Sequence, residues 1–460
     1  LKKYNQIVLI LILLVTFSFS SSNVSAQEET PNLPVYIVQP GDSINLIALK
    51  FNVSSEDLML ANGISDPNFL QVNAQLIIPG ISGASGVLAF HPVQLGETAI
   101  SIARKSNLDL TSLYKINRIT SPSEFYLGSN IIYSQPKDSL GSFNEGNFIT
   151  QIKDQNEIEA SIINQTNKWA LLQRNQLEYS WQFLSDDLYI NPNESSNEPQ
   201  TNIEFIGLPL TQGETAAIKI LSAQEVITAN INDYQLNFEK LNDQFVTIFG
   251  IHAFHQPGLY PIHIEYLDQR NNKLTIDQFI IIQSGFYVSD PALYVDPSTL
   301  DPSFTEPEED LLRELTANTT PTKYWDGLFV PPVDEPICIK SWFGNRRSYN
   351  DGPFDKYHTG VDYGVCANLN VYAPAAGTVV FSGPLAIRGN ATIIDHGLGV
   401  YSGFWHQEST NVKVGDFVEQ RQLIGTIGNT GRSTGPHLHW ELITNGIQVN
   451  PLDWLINEYP

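Results

Sequence analysis

From His358 to Gly364 the chain reads HTGVDYG, and from Gly435 to Leu442 it reads GPHLHWEL. In an extended chain alternate side chains share one face, so His437 and His439 point the same way. The Val-Asp-Tyr setting of Asp362 is also that of an extended segment, four residues after His358. Imidazole and carboxylate together suit a divalent ion such as zinc. Between the two stretches, GVYSGFWHQ supplies His406. A hydrolytic zinc site needs three protein ligands and an open position for water, whose pKa the metal brings near 7. Five polar groups therefore make three ligands and two proton handlers. Around them, apolar runs such as TVVF, ATIIDH and LIGTIG are punctuated by glycines including Gly377, Gly397, Gly415 and Gly428. That pattern predicts a small all-β unit with tight turns. The glycine-rich GNTGRSTGPH leads into a strand rather than a helix, so it is no phosphate cradle.

With SWFGNRR upstream, these motifs over 330–460 resemble the LytM and lysostaphin-type metallopeptidases, which carry FG.R, H-x-G-x-D, a middle histidine and H-x-H in this order. The resemblance implies a mostly β catalytic domain of small antiparallel sheets, of the duplicated hybrid motif type, with one catalytic zinc. It places His358, Asp362 and His439 as zinc ligands. His406 and His437 take the places of two non-ligand histidines that orient the attacking water and stabilise the oxyanion, roles suited to imidazole. Which of the two does which stays open. His396 is expected to be structural, since the metal already has its ligands. The family commonly has Tyr two residues before the middle histidine; Phe404 lacks that hydroxyl.

Val35 to Pro79 reads VYIVQPGDSINLIALKFNVSSEDLMLANGISDPNFLQVNAQLIIP, in the order strand, helix, helix, strand. Over 34–80 it resembles the LysM domain. A second, divergent copy spans 89–136, with Gly96-Glu97-Thr98 where the first has Gly41-Asp42-Ser43. A third trace lies at 141–195, its Asn175 falling where Asn62 and Asn117 fall. The resemblance implies binding to N-acetylglucosamine glycan through Gly41, Asp42, Ser43 and the loop after Asn62, with Ile64. Short runs such as AAIKIL, FVTIFGI and YPIHIEYLD over 200–288 predict an antiparallel β-sandwich. His252, His255 and His263 lie there without a partner pattern and are expected as surface or turn residues. Residues 289–326, rich in Pro, Asp, Glu and Thr, read as a linker with a short helix at EEDLLREL.

Lys2, Lys3, an apolar run from Ile7 to Phe17 and the ending Val24-Ser25-Ala26 form a signal-peptide pattern over 1–26, shorter than the roughly 20 apolar residues of a membrane span. Export is expected, giving a secreted, wall-associated or periplasmic protein without a membrane segment after cleavage. A net charge of -24 argues against nucleic acid, whose binding rests on Lys and Arg at phosphates. Two cysteines, Cys338 and Cys366, could pair after export and add about 3 to 4 kcal/mol, although spacing leaves two free thiols open. The partner implied is peptidoglycan: peptide as substrate, glycan through LysM. Two rival readings weigh less. A silent LytM-like factor that activates other hydrolases would lack zinc ligands, and a D-Ala-D-Ala carboxypeptidase would show a Glu-x-x-His ending. The bond cut, the wall attacked, glycan binding by the later repeats and the oligomeric state are not legible.

Overall fold

The computed structural model describes residues 34–81, 86–106, 108–135, 202–269, 271 and 273–460, with short stretches at 147–149, 157–163, 169, 171–172, 175 and 188–190. The expected signal peptide and most of the 141–195 trace lie outside the described residues. Among the described residues, no helix is long and apolar enough to cross a membrane. The described residues form two compact units, one holding 34–88 with 134–135, the other 89–133 and those from 147 onward.

In the first unit, antiparallel strands Val35–Ile37 and Gln75–Ile77 bracket helices Ile44–Lys50 and Ser55–Asn62. Ser43 and Ser54 start the helices by accepting from the Leu46 and Asp57 amides. Gly63, at φ 62°, ends the second in the left-handed conformation that glycine adopts without strain. Asn62 then ties helix to strand: Nδ2 donates to the Leu58 and Ile77 carbonyls, and Oδ1 accepts from the Ile77 amide at 2.7 Å. The second copy repeats this with Asn117, Leu113 and Ile132. Its strands Val87–Pro92 and Asn130–Gln135 bracket helices Ala99–Lys105 and Leu110–Asn117. Asn175 makes the same bond to the Leu171 carbonyl, and strands Asn147–Ile149 and Leu188–Ile190 pair antiparallel.

The second unit contains the sandwich. One sheet runs in the order Tyr234–Gln235, Ala223–Ile231, Gly258–Asp268, Lys273–Gln283, Leu210–Thr211; the other runs Glu239–Leu241, Gln244–Gly250, Thr215–Leu221, Asn202–Ile206. The nearly continuous apolar run TAAIKIL has a physical cause, because this second sheet is buried on both faces. Ala216, Ile218 and Ile220 face the first sheet, whereas Ala217, Val246 and Ile248 join the core of the C-terminal domain. Trp454 Nε1 and the Tyr459 hydroxyl reinforce the junction at Thr215. His263 pairs with Asp277, and the His252 ring packs edge-on against Tyr357.

The C-terminal domain is a ten-stranded sheet system whose path runs Ile339–Ser341, Val361–Gly364, His437–Thr444, Val400–Thr410, Gly389–Gly397, Gly377–Leu385, Phe417–Val418. Cys338 and Cys366 are joined by a disulfide. Residues 289–326 are not a free spacer. Leu293 and Asp290 amides donate to Ser348 and Arg346 carbonyls, and helix Pro302–Thr316 lies along the domain. Its buried residues Glu308, Leu312 and Thr316 recur every four positions, one helical stripe. Acidic residues and prolines on the other faces produce the linker-like composition and mask that stripe. Glu308 is the pin: its carboxylate accepts from the Ile387 amide at 2.6 Å, the Arg388 amide at 3.2 Å and Arg388 Nη1 at 3.3 Å.

Removing that carboxylate strands three donors, the buried Ile387 amide and the half-buried amide and guanidinium of Arg388. Glu308→Ala is expected to lower stability by about 3 kcal/mol, measured by denaturant unfolding; an unchanged midpoint would mean the helix is not anchored there.

Candidate metal centre and groove

Three adjacent strands bring the polar groups together. Asp362 on Val361–Gly364 lies directly opposite His439 on His437–Thr444, and Trp405 on Val400–Thr410 flanks His439 from the other side. Directly opposed residues stand about 5 Å apart, so the register alone sets Asp362 against His439. His358 enters from the preceding loop, held by exchanges of its backbone with Gly344 and Asn345. A Cβ on Gly360 would fall 2.3 Å from the Trp440 carbonyl and 2.7 Å from His439 Nε2. The glycine between the two ligand candidates is therefore a steric requirement of this approach.

His358 Nε2 is 2.9 Å from both Asp362 Oδ1 and His439 Nδ1, and the latter two are 2.8 Å apart. All three residues are buried, and among the described residues they form a group able to hold a metal ion. Their protonation can be argued from their outer partners. His358 Nδ1 faces the Trp342 carbonyl at 2.9 Å, which can only accept, so the ring proton sits there and Nε2 presents a lone pair. His439 Nε2 faces Glu441 Oε1 at 3.3 Å, so its proton belongs on that side and Nδ1 turns a second lone pair inward. With Asp362 Oδ1, three electron-rich atoms converge on one point, and only a cation relieves them. Two imidazole nitrogens and a carboxylate oxygen are a donor set that fits zinc.

The electrostatics agree. Burial pushes His358 down to about 4, opposed by Asp362. Burial works against the Asp362 carboxylate too, but bonds to His358 and His439 hold it far below the ordinary range. Burial opposes a charge on His439, yet Asp362 and Glu441 outweigh it and hold its pKa above the usual imidazole value. Without a metal, a proton on His439 is the cation that this pocket demands.

Supporting residues lie behind the cluster. Glu441 is fully buried, and although burial favours its neutral form, the bond to His439 brings it to about 2. Thr359 donates its hydroxyl to Oε1. Arg347 Nη2 reaches Ser341 Oγ at 2.8 Å and Asp362 Oδ2 at 3.4 Å, leaving Oδ1 to the histidines; its Nε lies 3.7 Å from Asp290. Alternation along His437, His439 and Glu441 could have exposed the glutamate in the sequence. Nothing local marks Asp290 or Arg347.

His406 stands at φ 63° within its strand, where the pairing slips between Asn390 and Thr392. Such a bulge re-aims a side chain. His406 Nδ1 donates to the Thr430 carbonyl and His437 Nδ1 to the Gly435 carbonyl, each at 2.8 Å. In the neutral form of each ring, Nε2 is therefore the nitrogen that carries the lone pair. They stand 4.8 Å apart, with His437 Nε2 3.7 Å from Asp362 Oδ1. Burial, then the neighbouring His439 and His437, lower His406 to about 3, so it is neutral at rest. The cluster opens into a groove of about 940 Å³ lined by Tyr357, Arg388, Arg432 and, from the 289–316 segment, Leu293 and Glu306.

Other sequence candidates lie elsewhere. His396 is fully buried and bonded to the Ala376 carbonyl and Ser402 hydroxyl, outside the cluster. Phe404 is fully buried in the core, where it leaves no polar atom to satisfy. In the first LysM-like repeat, the Asp42 carboxylate is consumed by Tyr36, Gln39 and Lys50. Ser43 caps a helix, and the Asn62 carboxamide ties helix to strand. These side chains shape the turn and loop, while Gly41, with no atom of the described residues within 4 Å of its would-be Cβ, keeps the turn open.

The left-handed backbone at His406 costs about 1 kcal/mol for a residue with a Cβ. His406→Gly is expected to be more stable than His406→Ala by about that amount in thermal unfolding; equal stability would show that the strand relaxes without its histidine. Glu441→Gln should bind zinc 10 to 100 times more weakly in chelator competition while keeping the native circular dichroism; an unchanged affinity would remove Glu441 from the centre.

Residues 356–451 match the model of peptidase family M23, and residues 36–79 and 91–132 match the LysM domain. A peptidoglycan DD-endopeptidase of Vibrio cholerae, ShyA, is 38% identical over 121 residues, covering 26% of this chain and 28% of that protein. A DD-carboxypeptidase/endopeptidase of Neisseria meningitidis, Mpg, is 41% identical over 97 residues, 21% of this chain and 22% of that protein. The solved antimicrobial peptidase lysostaphin from Staphylococcus simulans is 30% identical with a TM-score of 0.23, covering 26% of this chain and 49% of that one. The chain thus spans 22 to 28% of the length of these curated relatives. Asp362, His358 and His439 stand inside the matched segment, and the two strand–helix–helix–strand repeats coincide with the other two: the chain carries a C-terminal domain of peptidase family M23 preceded by two LysM domains.

Proposed function

We propose that this chain is an exported zinc endopeptidase that hydrolyses peptide cross-links or stem peptides of bacterial peptidoglycan, and that LysM contact with N-acetylglucosamine glycan holds it on the wall. It would work outside the cell or in a periplasm. The observation that carries this reading is the convergence of His358 Nε2, Asp362 Oδ1 and His439 Nδ1 within 2.9 Å of one another at the floor of an open groove. A silent wall-binding factor has no use for three buried donors that repel one another without a cation. The V. cholerae and N. meningitidis relatives carry names for peptidoglycan endopeptidase and carboxypeptidase activity, which points to the same substrate class.

Zinc held by His358, Asp362 and His439 would supply Lewis acidity to water and to the scissile carbonyl. The chain's own residues do the rest. His406 and His437 share the proton work through Nε2: each ring is locked by its Nδ1–H on a backbone carbonyl and so stands in one tautomer. One accepts the proton of the attacking water, and the protonated ring later gives it to the leaving amine. His437, whose Nε2 lies 3.7 Å from Asp362 Oδ1, is placed to steady the developing oxyanion once it has taken up a proton. Arg347 keeps the Asp362 carboxylate from turning. Arg388 and Arg432 line the groove together with Glu306 and Glu309, so an extended peptide would meet both signs of charge there.

The test uses the mature chain, His358→Ala and His406→Ala, with zinc content measured beside release of amino ends from peptidoglycan. The expected outcome is about one zinc in the native chain, none in His358→Ala, and a retained zinc in His406→Ala with activity down at least about 100-fold. Mass spectrometry of the fragments names the bond. A native chain that sediments with the wall, holds no zinc and releases nothing would make the silent factor the better account.

A further inference from the structure

The two LysM domains can be compared residue by residue. Asn62 and Ile77 of the first match Asn117 and Ile132 of the second in the same hydrogen bonds, so Gly41 matches Gly96 and Val72 matches Leu127. These positions form the two lips of the edge through which, on the proposed reading above, such a domain holds glycan: the turn after the first strand and the loop before the last. In the first domain both lips are open. Among the described residues none comes within 4 Å of the would-be Cβ of Gly41, Val72 is 50% exposed and Phe69 78%.

In the second domain both lips are occupied. The Gly96 amide donates to Gln278 Oε1 at 3.0 Å, and Gln278 Nε2 donates back to the Gln94 and Glu97 carbonyls. Ile276 lies 3.7 Å from the would-be Cβ of Gly96. Across the gap, the Leu127 amide donates to the Phe279 carbonyl at 2.8 Å, and Leu127 bridges Ile280. Its side chain is 0% exposed and belongs to the sandwich core, while Gly128 packs against Leu208. Strand Lys273–Gln283 of the sandwich therefore covers this edge and takes the Gly96 and Leu127 amides and the Gln94 and Glu97 carbonyls.

We infer that the second LysM domain binds no glycan, that its glycan-facing edge is the docking surface for the β-sandwich, and that the chain has one glycan site between these two domains, in the first. The second domain is a brace packed on the sandwich, within the compact unit that also holds the peptidase domain. An Asp at Val72 would disturb only the open lip, whereas an Asp at Leu127 would disturb only the brace.

The experiment titrates N-acetylglucosamine oligomers into the full chain by calorimetry and follows thermal unfolding of the same samples. One site per chain is expected, weakened at least tenfold by Val72→Asp without a change in melting temperature. Leu127→Asp, or the milder Gln278→Ala if that variant does not fold, should lower the melting temperature and leave glycan affinity unchanged. Two sites, or affinity lost on Gln278→Ala, would overturn the inference. If no oligomer binds the native chain, the glycan reading itself fails. Docking is then judged on heat alone, and a melting temperature unmoved by both second-domain variants would overturn it.

Discussion

Three lone pairs pointed at one another inside a protein are an unstable arrangement unless something positive stands among them. His358 and His439 each have one nitrogen committed outward, to the Trp342 carbonyl and to Glu441. In the neutral rings the inward nitrogens carry no proton, so with Asp362 Oδ1 they call for a cation: a metal ion, or a proton on His439. Much of the nearby structure maintains that condition. Gly360 lets the chain pass close to His439, Arg347 restrains the free oxygen of Asp362, and the buried Glu441 with Thr359 keeps His439 in one tautomer. The centre is built to hold a cation.

That centre is also held from a distance. The sheet that carries His439 packs through Trp440, Leu442 and Val449 into a core that includes Ala217, Val246 and Ile248 of the sandwich. The sandwich in turn takes the second LysM domain onto its outer sheet. Residues 289–326 run along the groove, where Glu308 secures the loop that bears Arg388. The groove is thus walled by chain that precedes the family-matched segment, so its shape belongs to this protein more than to the peptidase domain alone.

The sequence made some of this plain. Alternation along GPHLHWEL put His437 and His439 on one face, and the strand they occupy bears it out. The repeated Asn at 62 and 117 marked a shared architecture, which the paired helix-to-strand bonds explain. What stayed hidden depends on contacts between residues far apart in the chain. A segment with acidic and proline-rich outer faces reads as a linker, because a four-residue stripe of Glu308, Leu312 and Thr316 is too sparse to register. The usual rule that a buried carboxylate must be paired, applied to Glu308, needs the loop at Ile387 and Arg388 to become visible. Likewise, nothing in the second LysM sequence announces that its turn is covered, since the covering residue, Gln278, lies in another domain.

The most direct test of the account concerns the charge that the centre requires. Because Asp362 and Glu441 raise the pKa of His439 above the ordinary imidazole value, the metal-free pocket holds a proton at about pH 6 that zinc must displace. Calorimetry of zinc binding in buffers of different ionisation enthalpy counts that exchange. The account predicts one zinc and about one proton released per chain at that pH, with the release fading and the affinity rising as pH climbs through the His439 pKa. Zinc that binds without releasing a proton, or with an affinity indifferent to pH, would contradict the claim that His439, His358 and Asp362 converge on a single cation.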